Sequence, residues 1–237
     1  MSLKSTKHID NHEVYYDDDR WQRLRLMRSA ALEVMMAFHS AAVPSITHGS
    51  IARGDVGLES DIDIFIPRPP SSFVIETVVE RSGFRVDRRL LVQATPNYAV
   101  KGYIEIFGAR TISFPLMRMR GVERDFYRFG GQLDLKMLKE NIRVSGVNKQ
   151  LMLITPTKKG HIESSVVGSE ESVARLLGVT AMAVQDRVRA LLRRCEVGRT
   201  GVFIKRELLQ DETFEEALKA LVETKPEVRR RFHMDNK

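Results

Sequence analysis

The alternation of apolar and polar residues divides this chain into two kinds of segment. Trp21, Leu24, Met27, Ala31, Val34, Met35 and Phe38 recur at helical spacing, so a helix is predicted from about Asp17 to His39. Asp17, Asp18 and Asp19 supply its cap and acidic first turn. Short strands are predicted at Pro44–Thr47, Asp61–Ile66, Arg85–Gln93, Tyr98–Phe107 and Thr111–Leu116. A short helix is expected at Ile51–Arg53. Another is expected from Ser71 or Ser72 to Ser82, stopped by Gly83. Helix and strand mixed in this way, with several adjacent strands, predict an α/β layer fold around a mixed sheet. Residues 1–15 read as frayed. The stretch from Met117 to Gly131 reads as irregular and polar, with a domain boundary there.

Beyond the boundary, Leu133–Ile142 reads as a short helix. The runs 150–155 and 161–167 read as a β-hairpin about Pro156–Gly160. Ser169 with Glu170 and Glu171 opens a helix that stops at Gly178, and Thr180 caps a second helix through Val184, Val188 and Leu191. The Ala174–Gly178–Val184 spacing is that of a helix-turn-helix. Short strands at Glu196–Val197 and Val202–Ile204, turning at 199–201, would make it a winged helix. A last helix is expected at Thr213–Glu223. The expected organisation is therefore 1–117, a connecting region 118–167, and a smaller winged helix-turn-helix unit at 168–237.

In the stretch from Thr47 to Ile66, Asp61 and Asp63 alternate with Ile62 and Ile64. Residues i and i+2 of a strand share a face, so the carboxylates project together while the isoleucines enter the core. Two such carboxylates repel unless a positive charge lies between them, and Mg²⁺ is a common answer. The N–H groups after Gly49 can face an anion.

Composition narrows the partners. The 237 residues are 43% apolar and 29% charged, ordinary for a globular protein. No run approaches the ~20 apolar residues of a membrane span, and no secretory leader is expected at the N-terminus. The one cysteine, Cys195, excludes an intrachain disulfide or a multi-cysteine zinc site and fits a reducing, cytoplasmic setting. The net charge of +7 favours polyanions, and Arg187–Arg206 is especially basic.

The pattern Gly49-Ser50, Ala52-Arg53-Gly54, then Ser60-Asp61-Ile62-Asp63, with Gly49-Ser50 eleven positions before Asp61, resembles the nucleotidyltransferase superfamily that includes DNA polymerase β, and within it the small prokaryotic minimal nucleotidyltransferases. The resemblance covers roughly residues 30 to 117. It implies a metal-dependent enzyme that transfers a nucleoside monophosphate from a nucleoside triphosphate, ATP first among them, to a hydroxyl acceptor. Asp61 and Asp63 would hold Mg²⁺ or Mn²⁺. Glu105 is the choice for the family's third carboxylate, with Asp87 as a rival. Gly49 and Ser50 would meet the triphosphate, and Arg53 either a phosphate or a nearby carboxylate. In the helix-turn-helix, Gln185, Arg189, Arg199 and Thr200 are placed for double-stranded DNA. The rival reading is a DNA-binding regulator with a non-catalytic nucleotidyltransferase-like domain.

Overall fold

The computed structural model describes residues 11–198 and 201–234. In chain order they form β1 (His12–Tyr15), α1 (Asp18–Ser40), β2 (Ile46–His48), α2 (Ser50–Arg53), β3 (Ile62–Phe65), α3 (Ser72–Arg81), β4 (Val86–Gln93), β5 (Lys101–Ile106), β6 (Arg110–Pro115), α4 (Gly121–Phe129), β7 (Gln132–Asp134) and α5 (Leu135–Lys139). There follow β8 (Gly146–Val147), β9 (Met152–Thr157), β10 (Gly160–Ser165), α6 (Glu170–Leu177), α7 (Ala181–Val197), β11 (Ile204–Glu207), α8 (Phe214–Thr224) and α9 (Pro226–His233).

The expected α/β fold with a mixed sheet is present. Seven strands run in the order β11-β4-β5-β6-β3-β2-β7. β3 and β6 are parallel and the other pairs are antiparallel. Alternation sends Ile62 and Ile64 of β3 and Ile104 and Ile106 of β5 into one core, where they meet Ala31, Met35 and Phe38 of α1 and Ile75 of α3. The helix α1 forms where its pattern places it. The Asp17 carboxylate accepts from the Arg20 N–H at 2.8 Å, satisfying an orphan donor of the first turn.

The opposite face of the sheet is partly covered by α4. Phe65 of β3 stacks on Tyr127 of α4, with ring centroids 3.8 Å apart, and Ala99 and Met119 complete a small buried cluster there. This helix corrects the expectation of an irregular boundary at 117–131. Its inward stripe is short and includes a carboxylate: Glu123 is buried and accepts from the Ala99 N–H at 2.8 Å and the Arg120 N–H at 3.0 Å. A buried acid at a core position hides helical periodicity.

The 150–167 hairpin forms as expected, as β9 and β10, in a second sheet of order β1-β10-β9-β8. β1 corrects the reading of residues 11–15 as frayed. It pairs with β10, with Tyr15 opposite Gly160, and any side chain at Gly160 would collide with the Val14 carbonyl.

The two helices expected around Gly178 form as α6 and α7, with Gly178 left-handed at the end of α6 (φ 63°) and the Thr180 hydroxyl accepting from the Ala183 N–H at 3.2 Å. The wing does not form. Residues 196–197, expected as a strand, are the last turn of α7. The second wing strand is displaced to β11, which pairs antiparallel with β4 at the edge of the main sheet, Ile204 opposite Gln93. The helices α8 and α9 then pack into the main core, where Phe214 meets Phe114 edge-on at 5.0 Å. The main sheet and its core thus draw on both sides of the expected boundary at 117, and on residues after 204, beyond the expected start of the C-terminal unit at 168. A pairing between strands more than a hundred residues apart leaves no local signal. None of the helices among the described residues is long and apolar enough to cross a membrane.

Candidate active site

The turn after β2 is built on a glycine. Gly49 has φ 79° and ψ −142°, a conformation open essentially to glycine alone. It lets the chain reverse directly into the four-residue helix α2. The Gly49 N–H is held by the Gly131 carbonyl at 2.9 Å, and the Ser50 hydroxyl donates to the Ser60 hydroxyl at 3.2 Å. Behind the turn, the buried Arg28 guanidinium donates to the carbonyls of Ile51, Ala52 and Ile142, at 2.7–3.3 Å. Burial, followed by the nearby Arg143, lowers Arg28 to about 10, so it stays charged at neutral pH and ties α1 to the turn.

A cavity of about 280 Å³ opens in front of this turn. Gly49, Ser50, Arg53, Asp61 and Asp63 all line it. Asp63 is tilted towards its neutral form: burial, and then the adjacent Asp61 carboxylate, raise it to about 6, against a downward pull from Lys149. Arg53 resolves towards the carboxylate alternative. Its terminal nitrogens bind the Asp55 carboxylate at 2.9 Å and the Gly130 carbonyl at 2.6 Å, tying the cavity floor to the end of α4.

Glu105 is not brought to this cavity. It shares the sheet face of Asp63, since Asp63 pairs with Thr111 and Thr111 with Glu105, but it stands two strands away. Two strand spacings are roughly 10 Å. There it is ion-paired to Arg88 at 2.6 Å. The rival Asp87 is more remote, on β4, beside Arg85 at 3.5 Å. On β6, the strand next to β3, the face-sharing residues are Thr111 and Ser113, so no carboxylate flanks Asp63 from that side.

Residues from beyond 117 complete the walls, and two of them, Lys149 and Arg187, are not among the site residues expected from the sequence. Lys149, in the loop between β8 and β9, faces Asp63. Arg187, on α7, enters the cavity with its guanidinium 5.0 Å from the centre of the Phe126 ring of α4. Arg187 left a trace in the sequence, as a charge beside Val188 and between apolar positions of a helix. Lys149 left none, because a lysine in a turn is unremarkable. His48 lines the aromatic end, 4.9 Å from the Tyr127 ring. Burial, and then Lys101 and Arg53, push it down to about 3, so it is neutral at physiological pH.

Gln185 and Arg189 are exposed on α7, with Arg189 3.6 Å from Asp186. Arg199 and Thr200 lie outside the described residues.

As a donor set, Asp61 and Asp63 fit one hard cation whose other ligands come from substrate phosphates and water. Among the described residues, no group of three or more His, Cys, Asp or Glu could hold a metal. The set therefore does not reproduce the three-carboxylate arrangement expected from sequence.

A carboxylate pair beside a glycine turn, faced by cations, is an arrangement suited to phosphoryl chemistry. In agreement, residues 42–127 match the model of the nucleotidyltransferase domain family. The matched segment runs from just after α1 into α4 and holds the turn, both aspartates and Phe126; Lys149 and Arg187 lie outside it. It supports nucleotidyl transfer, with a nucleotide substrate, as the general class of activity. A search of curated proteins finds no match.

Proposed function

We propose that this chain transfers a nucleoside monophosphate from a nucleoside triphosphate, with ATP the first to test, to a hydroxyl acceptor, with Asp61 and Asp63 holding Mg²⁺ or Mn²⁺. The observation that carries the reading is one cavity with the aspartate pair and the Gly49–Ser50 turn on one side and Lys149 and Arg187 on the other. A bound cation would neutralise phosphate charge and acidify the acceptor hydroxyl. Lys149 and Arg187 supply the charge that holds a triphosphate tail, and the Ser50 hydroxyl can donate to one of its oxygens. The acceptor oxygen forms a bond to the α-phosphorus as the bond to the β-phosphate bridging oxygen breaks. The hydroxyl proton is lost and pyrophosphate leaves.

The test is incubation with each α-labelled triphosphate, Mg²⁺ or Mn²⁺, and a panel of protein, nucleic-acid and small hydroxyl acceptors. Label transfer that disappears in Asp61→Asn and Asp63→Asn is expected. Absence of both transfer and cation-dependent triphosphate binding would sink the proposal. Exposure of Gln185 and Arg189 on α7 favours a second reading, duplex DNA binding through the helix-turn-helix. A duplex titration over a salt range tests it, and a flat response argues against it.

A further inference from the structure

The helix α4 separates two concavities. Phe126 and Phe129 face the aspartate cavity. The opposite flank carries Arg124 and Arg128, with Arg120 at the N-cap completing an i, i+4, i+8 series, along a groove of about 610 Å³ that also meets Pro67, Gln132 and Met182. All three arginines are exposed, and Arg68 and Arg118 extend the patch beyond the N-terminal end of the helix. Among the described residues, none of these five guanidiniums is in an ion pair with a carboxylate. The helix has two acids and both are committed elsewhere. Glu123 is buried on the Ala99 and Arg120 N–H groups, and Asp125 accepts from the Thr180 N–H at 3.2 Å and hydroxyl at 3.0 Å. The stripe is therefore a row of cations without local neutralisation.

Its position ties it to the aspartates. Phe65, in the groove, and Asp63, in the cavity, are i and i+2 on one face of β3, about 7 Å apart. Gln132, in the groove, pairs across strands with His48, in the cavity. The arginines advance roughly 6 Å per step along the helix, a repeat of the same order as the phosphate step of an extended strand. The facing wall offers the half-buried Ile46 and the exposed Met182, with Phe65 buried behind Tyr127, rather than a second row of cations. One phosphate backbone fits such a groove, with bases against the apolar wall. A duplex presents two backbones separated by its grooves, and the second would meet no cations on the facing wall.

We infer that the α4 arginine stripe is a track for single-stranded nucleic acid, and that such a strand's terminal hydroxyl is the acceptor delivered to Asp61 and Asp63. The word acceptor rests on the nucleotidyl-transfer reading above; the track does not. Binding of a labelled single-stranded RNA and a single-stranded DNA oligonucleotide, a duplex of the same length, and poly-glutamate is measured by anisotropy over a range of salt. The full chain, Asp61→Asn, and the triple variants Arg120→Ala/Arg124→Ala/Arg128→Ala and Arg120→Lys/Arg124→Lys/Arg128→Lys are compared, with thermal melts verifying that each is folded.

Single strands should bind better than duplex and poly-glutamate. The triple alanine variant should weaken single-strand binding by on the order of tenfold or more, and reduce the log–log salt slope by about 2, at about 0.7 per lost phosphate contact. The lysine triple should recover most of the affinity, and Asp61→Asn should bind strands like the parent. Unchanged affinity and slope in a folded alanine triple would overturn the track, as would equal binding of poly-glutamate or duplex. Strand binding that depends on the stripe, without transfer to any acceptor, would remove the enzyme reading and leave the track. Transfer to small hydroxyl compounds only, without strand binding, would do the reverse.

Discussion

Asp63 and Glu105 occupy one row on the same face of one sheet, bridged by Thr111, yet their surroundings make them different chemical groups. Asp63 is raised to about 6 by burial and by Asp61, and its cavity gives it no guanidinium within ion-pairing distance among the described residues. Glu105 is neutralised by Arg88 at 2.6 Å on a more open part of the sheet. Strand alternation fixes which face a carboxylate takes. What covers that face decides whether it is reactive. Here α4, the Lys149 loop and α7 enclose the Asp63 end, while the Glu105 end has its own counter-ion.

The largest test of this contrast is catalytic. Asp61→Asn and Asp63→Asn should each lower transfer by roughly a hundredfold to a thousandfold, the scale of losing a central electrostatic contact to the transition state. Initial rates at saturating triphosphate and cation measure it. If Glu105→Gln loses as much as Asp63→Asn, the surroundings have been misjudged and the row is a single site.

Next in size are the cations facing the aspartates. Lys149→Ala and Arg187→Ala should each raise KM for the triphosphate by about tenfold, the worth of a charge-assisted contact, with a smaller change in kcat. Full kinetic curves separate the two parameters. A fall in kcat with KM unchanged would mean that these residues act on the chemistry rather than on holding phosphate.

A stability effect of opposite sign follows from the burial of Asp63. Its folded pKa of about 6 lies above its ordinary value of 3.8. Between those values the folded chain holds a proton that the unfolded chain has lost, so stability falls as pH rises through this window. Two units correspond to about 3 kcal/mol, reduced towards roughly 1–2 kcal/mol by the solvent that reaches a partly exposed side chain. Without cation at neutral pH, Asp63→Asn should therefore melt a few degrees higher than the parent, while being inactive. Its melting point should also lack the parent's decline between about pH 4 and 6. Differential scanning fluorimetry across this range is sufficient, and a lower melting point for the variant would contradict the burial account.

What was legible in the chain and what was not divide along the same line. The Gly49–Ser50 turn, the Asp61/Asp63 strand and α1 are local: a glycine conformation, a period of two and a period of 3.6 residues each write themselves into a few consecutive positions. Lys149, Arg187 and β11 reach their places through pairings and packings between segments far apart in sequence, and a short window does not record where such residues end up. For Glu105 the sequence shows a face shared with Asp63, but not the two strand spacings between them or the Arg88 opposite it. The wing is a similar case. Residues 202–204 carry strand character, and only the open edge of β4 decides what such a strand pairs with.

The smallest expected effect isolates the Glu105 half of the contrast. The Arg88 and Glu105 side chains retain 49% and 29% of their exposure, so solvent screens their attraction, and such pairs contribute about 0–1 kcal/mol. Glu105→Gln and Arg88→Ala should then shift the melting temperature by no more than about 2–4 °C and leave transfer within about twofold of the parent. The double variant should equal the sum of the two singles to within about 0.5 kcal/mol. A coupling well above that, or a loss of activity in Glu105→Gln restored by a higher cation concentration, would show that Glu105 reaches the cation after all. The sheet would then have to move so that a carboxylate two strands from Asp63 enters the same site.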